Sequence, residues 1–112
     1  MTRIRLPNRR ELDAFDFELG GLKYHVAVGR FAVSGEISEI FINAGKPGSA
    51  ADILSKDLAV VFSIARQYGV PLDTIRDALL KLDNGNAAGP LGMSLQIADV
   101  RKTSPTNLTV VP

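Results

Sequence analysis

A short glycine-rich segment with one lysine is the part of the sequence best suited to bind an anion. Gly45-Lys46-Pro47-Gly48-Ser49 precedes a helical pattern, and the free N–H groups and positive dipole end at the start of a helix attract phosphate. The segment is not a Walker loop, because its lysine precedes the second glycine instead of following it. It is either a strand-to-helix turn that needs glycine geometry or a phosphate site. The candidate ligand-binding residues are Lys46, Gly48, Ser49, Arg9 and Arg10.

The single histidine offers little for catalysis. His25 lies on a predicted strand and points away from its apolar face. A general base needs an orienting partner, and no second histidine or cysteine exists to complete a nucleophilic pair or a metal site. Asp13, Asp16 and Glu18 lack the loop signature of a calcium site. We therefore expect no catalytic residue, no metal and no cofactor; an enzyme would have only His25 and scattered carboxylates to use.

Period-two alternation predicts the strands that carry these residues. Apolar side chains alternate with others on both sides of Gly20-Gly21, a pair suited to a tight hairpin turn. They are Phe15, Phe17 and Leu19 before the glycines and Leu22, Tyr24, Val26 and Val28 after them. A second turn at Ser34-Gly35 and a third strand around Ile40 and Ile42 complete a three-stranded antiparallel meander.

A long helix follows, with Ser49 or Gly48 as its cap. Its apolar residues are spaced four, three, four and three apart, which predicts a buried stripe widened by Phe62. The stripe is Leu54, Leu58, Val61, Ala65 and Tyr68, and the side predicted to face solvent carries Asp52, Lys56, Ser63 and Arg66.

Two shorter helices complete the predicted fold. Gly69 and Pro71 are typical of a helix end and a new helix start. The second helix presents Leu72, Ile75, Leu79 and Leu82 inward, and a third, after Gly89-Pro90, presents Leu91, Leu95 and Ala98. Leu108-Thr109-Val110-Val111 is β-prone, and either pairs with a sheet edge or stays outside the sheet.

These elements predict one α+β domain, in which a long helix and one or two shorter helices pack on the meander. We place a basic N-terminal arm at residues 1–14, the domain at 15–99 and a polar tail at 100–112. A chain of 112 residues has room for one core. Its net charge of +1 provides no global field for nucleic acid or anionic lipid. Without cysteine, membrane-length apolar run or signal peptide, we expect a cytoplasmic location.

A DNA-binding alternative rests on one spacing. Ala65, Gly69 and Ile75 fall at the interval typical of a helix-turn-helix unit. The second helix carries Asp73 and Asp77, so it lacks the positive charge that phosphate contacts require. Packing of two consecutive helices explains the same small residues.

Several segments together resemble the TSCPD domain, found toward the C-terminus of adenosylcobalamin-dependent (class II) ribonucleotide reductases and as short stand-alone bacterial proteins. The match runs from about Leu6 to about Gly92. Its segments are Leu6-Pro7 with Arg9-Arg10, Gly20-Gly21-Leu22-Lys23-Tyr24, Glu39-Ile40-Phe41-Ile42, Lys46 with Gly48-Ser49-Ala50, and Gln67-Tyr68-Gly69-Val70-Pro71-Leu72.

The chain departs from this family in its lack of sulfur chemistry. Class II reductases use a cysteine thiyl radical and cysteine pairs, and the family takes its name from a cysteine-containing motif; this chain has no cysteine and no barrel to hold cobalamin. The resemblance therefore implies a non-catalytic accessory or regulatory module, with a nucleotide or a protein partner as its ligand. Independently of the resemblance, a three-stranded sheet leaves an edge and a face that a second copy of the chain could cover, which would give a homo-oligomer. Any reductase activity would belong to the partner.

Overall fold

The first two strands form the predicted hairpin. The computed structural model describes residues 2–8, 10–101 and 108–111, the last range for its backbone alone. Strands β1 (Arg10–Leu19) and β2 (Leu22–Arg30) are antiparallel in a register that pairs Leu19 with Leu22. Between them, Gly20 and Gly21 adopt φ of 60° and 80°, in the left-handed region that a primed turn requires.

A third strand and a fourth complete one antiparallel sheet. β3 (Ile37–Ala44) pairs with β2, and β4 (Leu108–Val111) pairs with β1, which gives the order β3-β2-β1-β4. The meander followed by helices is confirmed, and the open question about the C-terminal segment is answered by its pairing at the β1 edge.

The ordered elements extend beyond the predicted domain, 15–99, at both of its ends, and the start of β1 pairs with β4. β1 begins at Arg10, within the predicted arm, and residues 10–13 are the ones that β4 pairs with. Helix α3 (Pro90–Arg101) also runs past the predicted domain end. Its last residue, Arg101, donates to both carboxylate oxygens of Asp13 at 2.7 and 2.9 Å, which ties α3 to β1.

The core lies between one face of the sheet and helices α1 (Ala50–Gln67) and α3. Leu91, Leu95 and Ala98 point inward from α3 as predicted. The short α2 (Leu72–Ala78) packs Leu72 and Ile75 against this core. The prediction for Leu82 was wrong: it lies in the loop after α2 and is 52% exposed.

Helix α1 presents the opposite face to the one that its apolar spacing predicts. The buried residues are Asp52, Ser55, Ala59, Phe62, Arg66 and Gln67, whereas Leu54 and Val61 are 68% and 65% exposed. The physical reason is that α1 packs along β3, an edge strand whose backbone groups need hydrogen-bonding partners. Polar side chains can supply these partners and leucine cannot, so the polar side turns inward.

Candidate functional site

The contact between α1 and β3 is built from side-chain to backbone hydrogen bonds. The Ile40 N–H donates to Ser63 Oγ at 2.9 Å, and the Ser63 hydroxyl lies 3.3 Å from the Ile40 carbonyl oxygen. One turn later, Gln67 Nε2 donates to the Ser38 carbonyl at 3.3 Å. Arg66 Nε donates to the Ile37 carbonyl at 2.7 Å. The helix thus closes much of the β3 edge.

The same contact leaves an apolar surface on the outside of α1. We call Leu54, Leu58, Val61, Ala65 and Tyr68 the outer stripe; all of them except Ala65, which is partly buried, are exposed. Ile53, Val60 and Ile64 extend the exposed apolar surface to one side. Folded monomeric domains rarely expose contiguous apolar surface of this kind, so the outer stripe is a candidate contact surface.

The predicted phosphate turn is filled by a carboxylate of the chain itself. Asp52 Oδ1 accepts the Ala44 N–H at 3.0 Å, and Oδ2 accepts the Gly48 N–H at 3.1 Å and a proton of Lys56 Nζ at 2.9 Å. These donors, the Ala44 amide first, lower the pKa of Asp52 to about 2. Ser49 is the helix cap, as predicted, and its Oγ accepts the Asp52 N–H at 3.3 Å. Gly48 therefore already donates to an internal anion and Ser49 caps the helix, while Lys46 lies exposed beside them.

The N-terminal arm is anchored to the domain at two points. Near its start, the Ile4 N–H donates to the Gln67 carbonyl at 2.8 Å, and Arg3 Nε donates to the Gln67 side-chain oxygen at 2.8 Å. Near its end, Arg10 pairs with Glu39 and donates to the Pro7 carbonyl at 2.8 Å. The hydrogen bond to Glu39 raises the pKa of Arg10 above its ordinary value. The arm is held in place in the described structure.

A groove of about 1020 Å³ lies between this arm, β3 and α1. Its lining includes four cationic side chains, Arg3, Arg5, Arg10 and Lys56, but only one acidic side chain, Glu39. Two aromatic side chains, Phe41 and Tyr68, also line it and are 45% and 43% exposed. The groove is therefore positively charged with aromatic surface at its wall, and the sequence reasoning did not find it.

The structure separates the predicted ligand-binding residues. Arg10 lines the groove, but Lys46, Gly48 and Ser49 do not. Arg10 binds Glu39 near the start of β3, whereas the turn follows the end of that strand. Arg9 lies outside the described residues. The phosphate hypothesis for the turn stays a prediction, now without Arg10 beside it.

His25 has a partner that the sequence reasoning missed. Its Nδ1 lies 2.8 Å from Asp16 Oδ1, and both side chains are about half exposed. The signal was present in the hairpin, because a two-residue turn at Gly20-Gly21 sets the register that pairs Asp16 with His25.

Neither a metal cluster nor a membrane-spanning helix is found in the described ranges. No three histidine or acidic side chains among residues 2–8 and 10–101 are grouped to hold a metal ion. None of the helices described is both long enough and apolar enough to cross a bilayer.

Sequence comparison relates this fold to a much larger protein. The vitamin B12-dependent ribonucleotide reductase of Agrobacterium fabrum is 38% identical over 76 residues, which are 68% of this chain and 6% of the relative. The protein of the same name from Bradyrhizobium diazoefficiens is 36% identical over 76 residues, which are again 68% of this chain and 6% of the relative. That from Rhodopirellula baltica is 36% identical over 73 residues, 65% of this chain and 7% of the relative.

The chain is related to a segment of vitamin B12-dependent ribonucleotide reductases. It spans only about 6–7% of the length of these relatives. No protein-family model matches the chain, and no solved structure matches it.

Proposed function

We propose that the chain is a non-catalytic accessory or regulatory module, resembling the TSCPD domain of class II ribonucleotide reductases, that acts by binding a protein partner. The outer stripe of α1 carries this proposal. It is a mainly apolar surface, interrupted by the exposed Asp57, on a helix whose opposite face packs against β3 and the core. A surface of this kind is suited to apolar packing against another protein.

We propose a reductase chain as the partner. In the relatives, the matched segment is a small part of a chain that continues well beyond it. The remainder of such a chain can cover the outer stripe, which the described residues of this chain leave exposed. The absence of cysteine supports a role by contact, since thiyl chemistry needs a thiol.

A binding experiment with matched variants tests this proposal. The A. fabrum reductase is prepared intact and with its own matched segment deleted, and the chain is titrated into each by calorimetry. We expect binding to the deleted form and little to the intact form, whose own segment occupies the site. Val61→Asp should abolish binding, because it places a charge in the apolar contact. Val33→Asp is the control, since Val33 is fully exposed in the turn between β2 and β3 and is not part of the outer stripe.

Two results would contradict the proposal. One is equal binding of wild type and Val61→Asp. The other is a dimer of the chain alone, seen by sedimentation velocity and lost in Val61→Asp, which would mean that a second copy covers the stripe.

Charge on α2 gives the DNA-binding alternative no support. The helix has seven residues, with two aspartates and one arginine, and Arg76 lies 3.7 Å from Asp73 in an ion pair. A recognition helix needs free cationic side chains for phosphate contacts. Titration onto duplex DNA at two salt concentrations tests this alternative, since phosphate-driven affinity falls as salt rises.

A further inference from the structure

The arm end of the groove holds cationic groups with unused donors. Arg5 is exposed and makes no hydrogen bond or ion pair within the described ranges. Arg3 uses Nε for Gln67, and no terminal guanidinium nitrogen of Arg3 has a bond among the described residues. Arg10, in contrast, is neutralised by Glu39, and each of its three guanidinium nitrogens already donates a hydrogen bond. Arg3 and Arg5, on either side of the anchored Ile4, are thus the cations available to a ligand.

Two guanidinium groups that line one groove are better suited to a phosphate ligand than to a ligand with a single carboxylate. Each guanidinium is planar and can donate two parallel hydrogen bonds to phosphate oxygens. The anchor at Ile4 fixes the backbone between the two arginines before any ligand binds. Because the backbone that carries the two arginines is already ordered, binding costs less conformational freedom than it would with an unattached arm.

An aromatic surface lies at a suitable distance from these cations. Arg3 binds Gln67, and Gln67 binds the carbonyl of Ser38. Phe41 follows Ser38 by three residues on β3, which is about 10 Å along the strand. Phe41 is 45% exposed in the groove, and a base can stack on an exposed aromatic ring.

The groove favours a small ligand over an extended peptide. A peptide that added to β3 would need free backbone groups at its edge. Ser63 Oγ already accepts the Ile40 N–H, and Asp52 accepts the Ala44 N–H, so two donors of this edge are taken. The volume of about 1020 Å³ is at the upper end of small-molecule sites.

We propose that the groove between the N-terminal arm and α1 binds a nucleoside polyphosphate, with its phosphates on Arg3 and Arg5 and its base stacked on Phe41. This proposal extends the binding function proposed above. It rests on that function only in one respect, namely that the chain acts as a binding module. The two surfaces meet at Tyr68, but Val61 does not line the groove, so Val61→Asp should leave nucleotide binding intact. Failure of one proposal is therefore distinguishable from failure of the other.

Calorimetric titration with ADP, the other three nucleoside diphosphates, inorganic pyrophosphate and adenosine tests the site. We expect at least one nucleoside diphosphate to bind, and to bind more tightly than pyrophosphate. Arg5→Gln should weaken both ligands about tenfold or more, because each loses a charge-assisted hydrogen bond. Phe41→Leu should weaken the nucleotide several-fold and leave pyrophosphate unchanged, because only the base stacks.

Two further variants keep the result specific. Lys23→Gln removes an exposed charge from β2, outside the groove, and should change nothing. Lys46→Gln tests the turn: if it weakens binding and Arg5→Gln does not, the site is the turn and our proposal is wrong. No binding of any nucleoside diphosphate at millimolar concentration would also overturn it, as would nucleotide affinity equal to that of pyrophosphate and insensitive to Phe41→Leu.

Discussion

A methyl group added at Gly29 should break the ion pair that holds the end of the arm. Gly29 pairs with Glu39 across β2 and β3, and β2 lies between Glu39 on β3 and Arg10 on β1. The Glu39 side chain crosses β2 over Gly29 to reach Arg10. A Cβ at Gly29 would lie 2.7 Å from Glu39 Cγ, closer than non-bonded carbons approach, so the carboxylate must leave its position.

The expected loss of stability follows from the burial of the pair. Breaking a buried ion pair costs about 3–5 kcal/mol, whereas an exposed pair is worth about 1 kcal/mol or less. The Glu39 side chain is 4% exposed and that of Arg10 25%, so we expect Gly29→Ala to lower the free energy of unfolding by about 2–4 kcal/mol. The melting temperature should fall by about 10 °C or more.

Thermal and urea unfolding followed by circular dichroism measure this effect. Gly89→Ala is the matched control, because an added Cβ there meets no atom within 4 Å. In the Glu39→Ala background the clash is gone, so Gly29→Ala should cost little, and the double-mutant cycle should show strong coupling. A Gly29→Ala protein as stable as wild type, or additive costs in the cycle, would refute the reasoning.

Three other substitutions test other contacts. Asp52 has a pKa of about 2 in the folded protein, compared with an ordinary value of 3.8, so its stabilising effect is present above pH 3.8 and is lost as the pH falls toward 2. Asp52→Asn should therefore reduce the loss of stability at acid pH, measured by urea unfolding at a series of pH values. An acid-induced loss equal to that of wild type would contradict this. Ser63→Ala leaves the Ile40 N–H without its partner and should cost about 1–3 kcal/mol in urea unfolding. A cost below about 0.5 kcal/mol would mean that the hydroxyl is dispensable. Val61→Asp should change the free energy of unfolding by less than about 0.5 kcal/mol in the isolated chain, because the side chain is 65% exposed; a large loss would show that the stripe is part of the core.

The sequence was sufficient to predict the structure where residues close together in the chain determine it. The Gly20-Gly21 turn, the Ser49 cap and the inward side of α3 all follow from residues close together in the chain. The buried face of α1 could not be predicted in this way. Apolar spacing shows that a helix has an apolar side and a polar side, but it does not show which element each side contacts. The polar side of α1 meets a strand edge, and this depends on the order of the strands.

The groove was beyond sequence reasoning for a related reason. Arg10 pairs with a residue 29 positions away, and Arg3 with one 64 positions away. No local pattern links such residues, so the basic arm could equally have been a solvated extension. Its two anchors, at Gln67 and Glu39, exist only once α1 lies along β3.

Methyl NMR gives the most direct test of whether the chain acts by apolar contact through α1. Leucine and valine methyl signals of the chain are recorded while the A. fabrum reductase lacking its matched segment is added. We predict that the signals of Leu54, Leu58 and Val61 change on binding while those of Leu95, buried in α3, do not. Binding that leaves the Val61 signal unmoved, or that perturbs only Val33 and other residues away from α1, would contradict the account.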